Sequence, residues 1–285
     1  MANVKNLNFL LKFIGGFIIV GLVIFLIWFL FPMNQKNYSV NEEGYKEASE
    51  ETSIILPQPS TDSEVSIEEA LSERRSVREY KDEPLTLREV SQILWAAQGI
   101  TAPEKGGRTA PSAGALYPLE VYLVVRRVDG VKPGVYHYLP EEHKLDRILE
   151  GDISIELAQA ALGQTFISKA PVNLVFSGVF KRTTKKYGER GVYYVYMEAG
   201  HAAQNVYLQV QSLGLGTVTV GAFYDEEVKR LLNLVDELRS FSPTELLRSK
   251  SEGKEENEIL FACANARVSE EETPLYIMPI GKISF

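Results

Sequence analysis

The sequence predicts an α+β fold in which helices pack on a mixed β-sheet. Amphipathic helical segments alternate with short runs of β-branched and aromatic residues, but without the regular strand–helix repeat of a parallel α/β protein. No Gly-x-Gly-x-x-Gly motif follows any of these runs, which argues against a dinucleotide-binding Rossmann fold. The chain has 285 residues, of which 45% are hydrophobic and 24% charged, and this balance is typical of a globular protein.

The first two helices are predicted from the residues at their N-termini. Ser66 is followed three residues later by Glu69, and Thr86 by Glu89. Each pair has the pattern of a capping box, in which the hydroxyl group and the carboxylate each accept a hydrogen bond from a free backbone amide. The second helix ends at Gly99, and its apolar residues share one face: Val90, Ile93, Leu94 and Ala97.

A longer helix is predicted from about Tyr193 to Leu213, where Gly214 ends it. Glu198 and His201 lie in this helix beside small residues, so we expect both to pack in the fold and not to act as catalysts. The apolar stripe of the helix consists of Val195, Ala199, Ala202, Val206, Val210 and Leu213.

Four runs rich in β-branched and aromatic residues are predicted as strands. They are Val121–Val125, Val172–Phe180, Thr217–Phe223 and Leu275–Ile280. Together with the helices they predict one domain that extends over residues 66–285.

A transmembrane helix is predicted at residues 13–31, after a short N-terminal tail of residues 1–12. The segment has no charged residue and is closed by Pro32, and at helical rise it can cross a hydrocarbon core of about 30 Å. A cleaved signal peptide is one alternative, but the apolar run is too long and no small-residue cleavage motif follows it. A buried core helix is another, but Lys12 and Trp28 near the ends favour interfacial anchoring. We therefore expect a membrane localisation with a single N-terminal anchor.

The predicted anchor is followed by residues 32–65, which are acidic and polar and contain Pro57 and Pro59. This composition predicts a flexible linker. The side of the membrane is set only weakly, because two lysines and the terminal amine precede the apolar segment and two lysines follow it soon after. The positive-inside rule then leans slightly towards an extracytoplasmic domain.

Charge and cysteine content exclude some classes of partner. The formal net charge is −8, and an acidic surface repels phosphate backbones, so we expect no nucleic-acid partner. Cys263 is the single cysteine, which excludes an intramolecular disulfide and a cysteine-based zinc site. The three histidines do not pair with other ligands at helical spacing, so no metal site is predicted.

The segment Arg74-Arg75-Ser76-Val77-Arg78 places three guanidinium groups and a hydroxyl group close together. Like charges at this spacing repel one another unless an anion neutralises them, and guanidinium groups suit bidentate phosphate contacts. The alternative is a solvated charged turn that pairs with nearby acidic residues.

Two further segments have the composition of a ligand site. The run from Ala110 to Pro118 holds small residues and Gly114, which allow backbone amides to approach a flat ligand, although a tight loop has the same composition. Lys186 and Tyr187 stand side by side between a strand and the long helix. They suit proton transfer, and an exposed basic loop is the alternative.

Two apolar runs end in glycine, at Gly221 and just before Lys282. A planar ring fits the first strand end and a phosphate group fits the second. Ordinary sheet termination explains both equally well.

In their order along the chain these segments resemble the nitroreductase superfamily, and within it the SagB-type dehydrogenase branch. The similarity covers about Ile67 to Asn233 and resumes at Pro274. It rests on four collinear motifs: Arg74-Arg75-Ser76-Val77-Arg78, Pro111-Ser112-Ala113-Gly114-Ala115-Leu116-Tyr117-Pro118, Lys186-Tyr187-Gly188-Glu189-Arg190-Gly191 and Glu198-Ala199-Gly200-His201-Ala202-Ala203-Gln204-Asn205.

The resemblance implies a nitroreductase-like fold, with a mixed, mainly antiparallel sheet flanked by helices. It also implies a homodimer that binds flavin mononucleotide (FMN) at the subunit interface. Lys186 and Tyr187 would then be the catalytic pair of azoline dehydrogenation, which removes a proton while the flavin accepts hydride. The implied FMN contacts are Arg74, Arg75, Ser76, Arg78 and Lys282 for the phosphate; Pro111, Ser112, Ala113 and Gly114 from the other subunit; Gln164 for the pyrimidine edge; and Val220 and Gly221 for the ring.

The sequence departs from the family pattern in two places. Tyr193 stands where the family has a second arginine after Arg190. Residues 236–273 form an insertion before the last strand, and a substrate lid, a partner-binding element and a disordered excursion all remain open for it.

The resemblance favours an FMN-dependent oxidoreductase that transfers hydride from a small or peptide-derived substrate. NAD(P)H or another electron partner would complete its cycle. One alternative is a general NAD(P)H-dependent nitro- or quinone reductase. Another is a non-enzymatic, membrane-tethered flavin-binding module.

Overall fold

The computed structural model describes residues 53–234 and 272–283. Contacts divide the chain into two units, Met1–Glu47 and Ala48–Phe285, and every described residue belongs to the second unit. The centre of this unit is a seven-stranded sheet with the strand order β1-β6-β5-β4-β7-β9-β8, in which all described ladders are antiparallel. The strands are β1 Ser53–Ile55, β4 Leu119–Val125, β5 Gly134–Leu139, β6 Lys144–Glu150, β7 Val172–Val179, β8 Leu215–Thr217 and β9 Glu272–Lys282, while β2 Ile100–Ala102 and β3 Gly107–Arg108 form a separate pair.

Helices cover both faces of the sheet. Because side chains alternate along a strand, β4 sends Leu123 to one face and Val124 to the other. The first face packs against α2 and α6, and the second against α3, α4 and α7. The helices are α1 Ile67–Glu73, α2 Leu87–Gln98, α3 Ser154–Ala160, α4 Phe166–Lys169, α5 Phe180–Tyr187, α6 Arg190–Ser212 and α7 Asp225–Leu231. The predicted α+β fold with a mainly antiparallel sheet is confirmed.

The helix signals in the sequence are largely confirmed. The Thr86 hydroxyl accepts a hydrogen bond from the Glu89 amide at 3.2 Å, and the Glu89 carboxylate accepts one from the Thr86 amide at 2.6 Å. At α1 the structure shows the serine half of the box, in which the Ser66 hydroxyl accepts from the Glu69 amide at 3.1 Å. The long helix α6 starts three residues before the predicted position.

Two local predictions are corrected, and one alternative is excluded. The predicted strand Thr217–Phe223 ends at Thr217, because the chain then leaves the ladder and keeps only one isolated bridge, between Val220 and Ile277. Lys186 and Tyr187 end a helix, which excludes the alternative of an exposed loop. His201 is exposed and not packed, because it lies on the outer side of α6.

The folded domain extends further towards the N-terminus than predicted. Ser53–Ile55 pairs with β6, and Leu56 after it is 2% exposed. The Ser60 backbone forms hydrogen bonds with the Gln92 side chain in α2. The last part of the predicted linker 32–65 is therefore part of the domain, and its three-residue strand is too short to show a periodic pattern.

The predicted transmembrane segment at residues 13–31 lies outside the described residues, as do the tail before it and most of the insertion 236–273. Glu272 and Thr273, the end of that insertion, are already part of β9. None of the helices in residues 53–234 or 272–283 combines the length and the apolar character needed to cross a membrane. On this finding we correct the predicted membrane localisation, which the structure does not support.

Candidate active site

Lys186 and Tyr187 lie at the C-terminal end of α5, which continues directly from the central strand β7. Gly188 ends the helix with a φ of 58°, a left-handed conformation that favours glycine. The Lys186 ammonium lies 5.3 Å from the centroid of the Tyr187 ring, which meets the Tyr194 ring edge-on at 5.1 Å. The predicted catalytic pair is therefore held together on one rigid element.

The Pro111–Pro118 loop contains three left-handed residues. Gly114, Ala115 and Tyr117 have φ values of 67°, 54° and 44°. For residues with a side chain this conformation is strained, and it persists only where the surroundings hold it in place. Here the Ser112 hydroxyl accepts a hydrogen bond from the Tyr117 amide at 2.9 Å.

The predicted catalytic pair and the loop meet at Gly114. A Cβ atom added to Gly114 would lie 2.6 Å from Tyr187 Oη and 2.8 Å from Lys186 Nζ. Both functional atoms therefore approach the same point of the loop, and this close approach requires a residue without a side chain.

Glu198 of α6 lies beneath the loop and is 2% exposed. Burial raises the pKa of its carboxyl group to about 7, although a hydrogen bond with Ser112 and the charge of Arg108 act in the opposite direction. Its Oε1 atom has no hydrogen-bond partner among the residues that the structure describes. Arg108 in turn stacks on Tyr117, with its guanidinium 4.5 Å from the ring centroid.

A second group of residues forms around Tyr207, nine residues further along α6. The Tyr207 hydroxyl accepts a hydrogen bond from the Thr219 amide at 2.9 Å and lies 3.3 Å from the Ser76 hydroxyl. The Arg74 guanidinium lies 5.1 Å from the Tyr207 ring centroid. Burial raises the pKa of Tyr207, but the hydrogen bonds with Ser76 and Thr219 and the Arg74 charge lower the pKa overall.

The other predicted phosphate residues are placed unequally. Arg78 lies 5.9 Å from the Phe166 ring centroid. Lys282 lies at the end of β9, next to the strand-like backbone of residues 76–81, and its ammonium is 3.7 Å from a Glu83 carboxylate oxygen. Arg75 instead donates to the backbone oxygens of Ser72 and of Arg74. The structure thus separates Arg75 from the group around Ser76.

The predicted ring contacts lie close to one another. The Gln164 amide donates to the backbone oxygen of Ala222 at 3.1 Å, which holds it beside Val220 and Gly221. Gly221 is exposed, and an added Cβ would meet only the Tyr276 ring, at 3.7 Å. This surface is therefore open to a flat ligand.

The model of the family described as "Nitroreductase family" matches residues 71–241, which is more than half of the chain. The chain belongs to the nitroreductase family. A Methanocaldococcus jannaschii protein assigned to the nitroreductases is 57% identical over 171 residues, which cover 60% of this chain and 86% of that protein. A crystal structure of a nitroreductase-like protein from Ralstonia eutropha has a TM-score of 0.63 and 26% identity, and the match covers 82% of this chain and 91% of that one.

The resemblance to the SagB-type branch is confirmed by a second relative. McbC of Escherichia coli, a microcin B17-processing protein, is 29% identical over 155 residues. The match covers 53% of this chain and 57% of McbC, so this nitroreductase-family chain spans little more than half the length of that relative.

The described residues of this nitroreductase-family protein fit an FMN cofactor. Arg74 and Ser76 supply a cation and a hydroxyl group at the surface, a donor set suited to a phosphate. The open Gly221 surface suits a planar ring. Tyr207, at the predicted phosphate residues, and Glu198, beneath the loop, are nine residues apart on α6, or about 13 Å along its axis.

Three site residues were not predicted. Arg108 precedes the loop without a recognisable motif, and Tyr207 lies in a helix where apolar periodicity indicates only packing. Glu198 was predicted to pack, and it is buried. Its contact with Ser112 has no signal in the local sequence, because it depends on the fold bringing α6 under the loop.

Proposed function

We propose that this protein is an FMN-dependent oxidoreductase of the SagB type, which removes two hydrogen atoms from an azoline ring or a similar heterocycle in a peptide-derived substrate. The observation that supports the proposal most directly is the approach of Lys186 Nζ and Tyr187 Oη to the same point at Gly114. The match to a microcin-processing protein supports the substrate class.

The residues of the second group would hold the cofactor. Arg74, Ser76 and Arg78 would bind the phosphate, with Lys282 adding positive charge from β9. Gln164, Val220 and Gly221 would line the ring. Bound FMN would supply a two-electron acceptor for hydride.

Lys186 and Tyr187 would manage the proton that leaves with the hydride. Dehydrogenation of a carbon–nitrogen or carbon–carbon bond releases one hydride and one proton, and the proton needs an acceptor within hydrogen-bond reach. An amine and a phenol at the same point provide a base and a hydrogen-bond donor. The Tyr187–Tyr194 ring contact and the helix end at Gly188 would keep both groups in place.

The protein would act as a homodimer. The outer face of α6 exposes Tyr193, Tyr196 and Met197, with exposed fractions of 57%, 54% and 51%. His201 and Gln204 continue this face, which has no residue with a permanent charge between Tyr193 and Ser212. An uncharged helical face with aromatic side chains suits pairing with a second copy.

The test compares Lys186→Ala and Tyr187→Phe with the wild-type protein on a synthetic thiazoline-containing peptide. Loss of two hydrogen atoms is followed by mass spectrometry, and bound FMN is quantified from the visible spectrum. Both variants should lose turnover and retain FMN, whereas Lys185→Ala, the neighbouring lysine, should retain both. Full activity in both variants would sink the proposal.

A second candidate is a general NAD(P)H-dependent nitro- or quinone reductase. The 57% identity to a relative assigned to the nitroreductases favours it. Rapid bleaching of the flavin by NADH, with reoxidation by a nitroaromatic compound and no dependence on Lys186, would identify this activity.

A further inference from the structure

Arg182 lies in the first turn of α5, four residues before Lys186. Residues four positions apart lie on the same side of a helix, so Arg182 and Lys186 lie on the same side of α5. Its side chain is 35% exposed, and it contacts two elements outside the helix.

The two contacts are of different kinds. One terminal nitrogen of Arg182 lies 2.6 Å from a Glu120 carboxylate oxygen at the start of β4. The other donates to the backbone oxygen of Tyr117 at 3.1 Å. Only a guanidinium group offers two parallel donors in a fixed fork, so this one side chain can hold a strand and a loop at once.

Glu120 is a fixed anchor for this fork. Its other carboxylate oxygen lies 2.8 Å from His137 Nε2, and the His137 ring stacks on Tyr122 at 4.8 Å. Burial raises the pKa of Glu120, but the His137 hydrogen bond and the Arg182 charge lower it overall, so the carboxylate is ionised at neutral pH.

Tyr117 is the strained residue at the end of the loop, with its φ of 44°. Its amide donates to the Ser112 hydroxyl, its ring stacks on Arg108, and its carbonyl oxygen accepts a hydrogen bond from Arg182. Gly114, three residues earlier, contacts the C-terminal end of α5, whereas Arg182 lies in its first turn. The loop is thus attached to α5 at both ends of the helix.

We propose that Arg182 is a positioning residue that fixes the Pro111–Pro118 loop to α5, so that Gly114 stays against Lys186 and Tyr187. Its role in turnover rests on the proposed function, but its effect on the loop does not. Arg182 acts on the loop through Tyr117.

The test uses full-length Arg182→Gln, with Arg126→Gln as the matched control. Arg126 also binds a carboxylate, Asp82 at 2.8 Å, and a backbone oxygen, that of Lys169 at 3.0 Å, but at the other end of β4. Hydrogen exchange is measured at the Ala115 and Tyr117 amides, which are bound by Ser112.

Arg182→Gln should raise exchange at these amides roughly tenfold or more, as expected for the loss of a charge-assisted hydrogen bond. Arg126→Gln should leave it unchanged. In the thiazoline assay, kcat of Arg182→Gln should fall by a similar factor with FMN bound and KM little changed. Arg182→Lys should recover part of kcat, because a single ammonium reaches one acceptor but does not span both.

Unchanged exchange in Arg182→Gln would overturn the proposal, whatever the activity. Raised exchange with unchanged kcat would overturn the link between the loop and the catalytic pair. If the wild-type protein shows no dehydrogenation, the proposed function fails while the exchange result still decides the role of Arg182. If Arg182→Gln does not fold, Glu120→Gln is used instead. It weakens the ion pair that holds Arg182 and should raise exchange at the Ala115 and Tyr117 amides. Unchanged exchange in Glu120→Gln would also overturn the proposal.

Discussion

Replacing Glu198 with glutamine should remove a pH-dependent loss of stability from the folded protein. Glu198 is 2% exposed beneath the loop, and one of its carboxyl oxygens has no hydrogen-bond partner within residues 53–234 and 272–283. Glutamine has nearly the same shape and keeps a group that can bind Ser112, but it does not ionise. The variant therefore isolates the cost of the buried charge.

The size of this effect follows from the pKa of Glu198, which burial raises from 4.5 to about 7. Because the folded state holds the proton more tightly than the unfolded state, the protein loses stability as pH rises from 4.5 to 7 and the loss is complete above 7. A shift of this size corresponds to about 3 kcal/mol in the free energy of unfolding. Below pH 4.5 the carboxyl group is protonated in both states and contributes no difference.

The assay is urea unfolding of the wild-type protein and Glu198→Gln between pH 4.5 and 8.5, at equal flavin content. The stability of the variant relative to the wild type should rise by about 3 kcal/mol across this range. Glu156→Gln, an exposed control on α3, should show no such trend. Parallel pH curves for the wild type and Glu198→Gln would refute the reasoning.

Three further predictions concern the site. Gly114→Ala should lower turnover, because the added Cβ displaces the proposed catalytic pair. Gly106→Ala, with a φ of 64° and open space around the added Cβ, should cost roughly 1 kcal/mol of stability in urea unfolding without affecting turnover. Arg74→Gln should weaken FMN binding roughly tenfold or more in a fluorescence titration. Arg75→Gln should have little effect, because Arg75 donates to the backbone oxygens of Ser72 and Arg74, and equal losses would contradict this placement. Lys186 contacts the Pro111–Pro118 loop of its own chain. A site shared between subunits should therefore take Lys186 and the loop from one copy and the predicted phosphate residues, including Arg74, from the other. Mixed dimers of one Lys186→Ala subunit and one Arg74→Gln subunit should then recover about half of the wild-type turnover, because one of the two sites carries neither substitution. No recovery would mean that Lys186 and Arg74 of the same chain serve one site.

Local signals in the sequence were sufficient for three of the seven described α-helices (α1, α2 and α6) and for strands β4, β7 and β9, but β5, β6 and the shorter helices were not predicted. Capping residues and apolar periodicity located α2, and the alternation of β4 and β7 reflects their two covered faces. The short strand Ser53–Ile55 was missed, because its pairing with β6 involves residues more than 90 positions away. The run Thr217–Phe223 has strand-like composition, but the chain leaves the ladder after Thr217 and keeps one isolated bridge, between Val220 and Ile277.

The candidate site could be predicted in part, as motifs without geometry. The sequence singled out Lys186 and Tyr187, but only the fold shows that both reach Gly114, seventy residues earlier. Arg182 and Glu198 carry no motif of their own, because their roles depend on contacts between α5, α6 and the loop. Arg75 is the opposite case, since the motif includes it and the geometry turns it away.

The most direct test of the central claim is the visible absorption spectrum of the purified full-length protein, with the released chromophore identified after denaturation. The account predicts a yellow protein that releases about one FMN per chain. The predicted phosphate residues Arg74, Arg78 and Lys282 and the open Gly221 surface support this expectation. A colourless protein that takes up no added FMN would contradict the assignment as a flavin-dependent oxidoreductase.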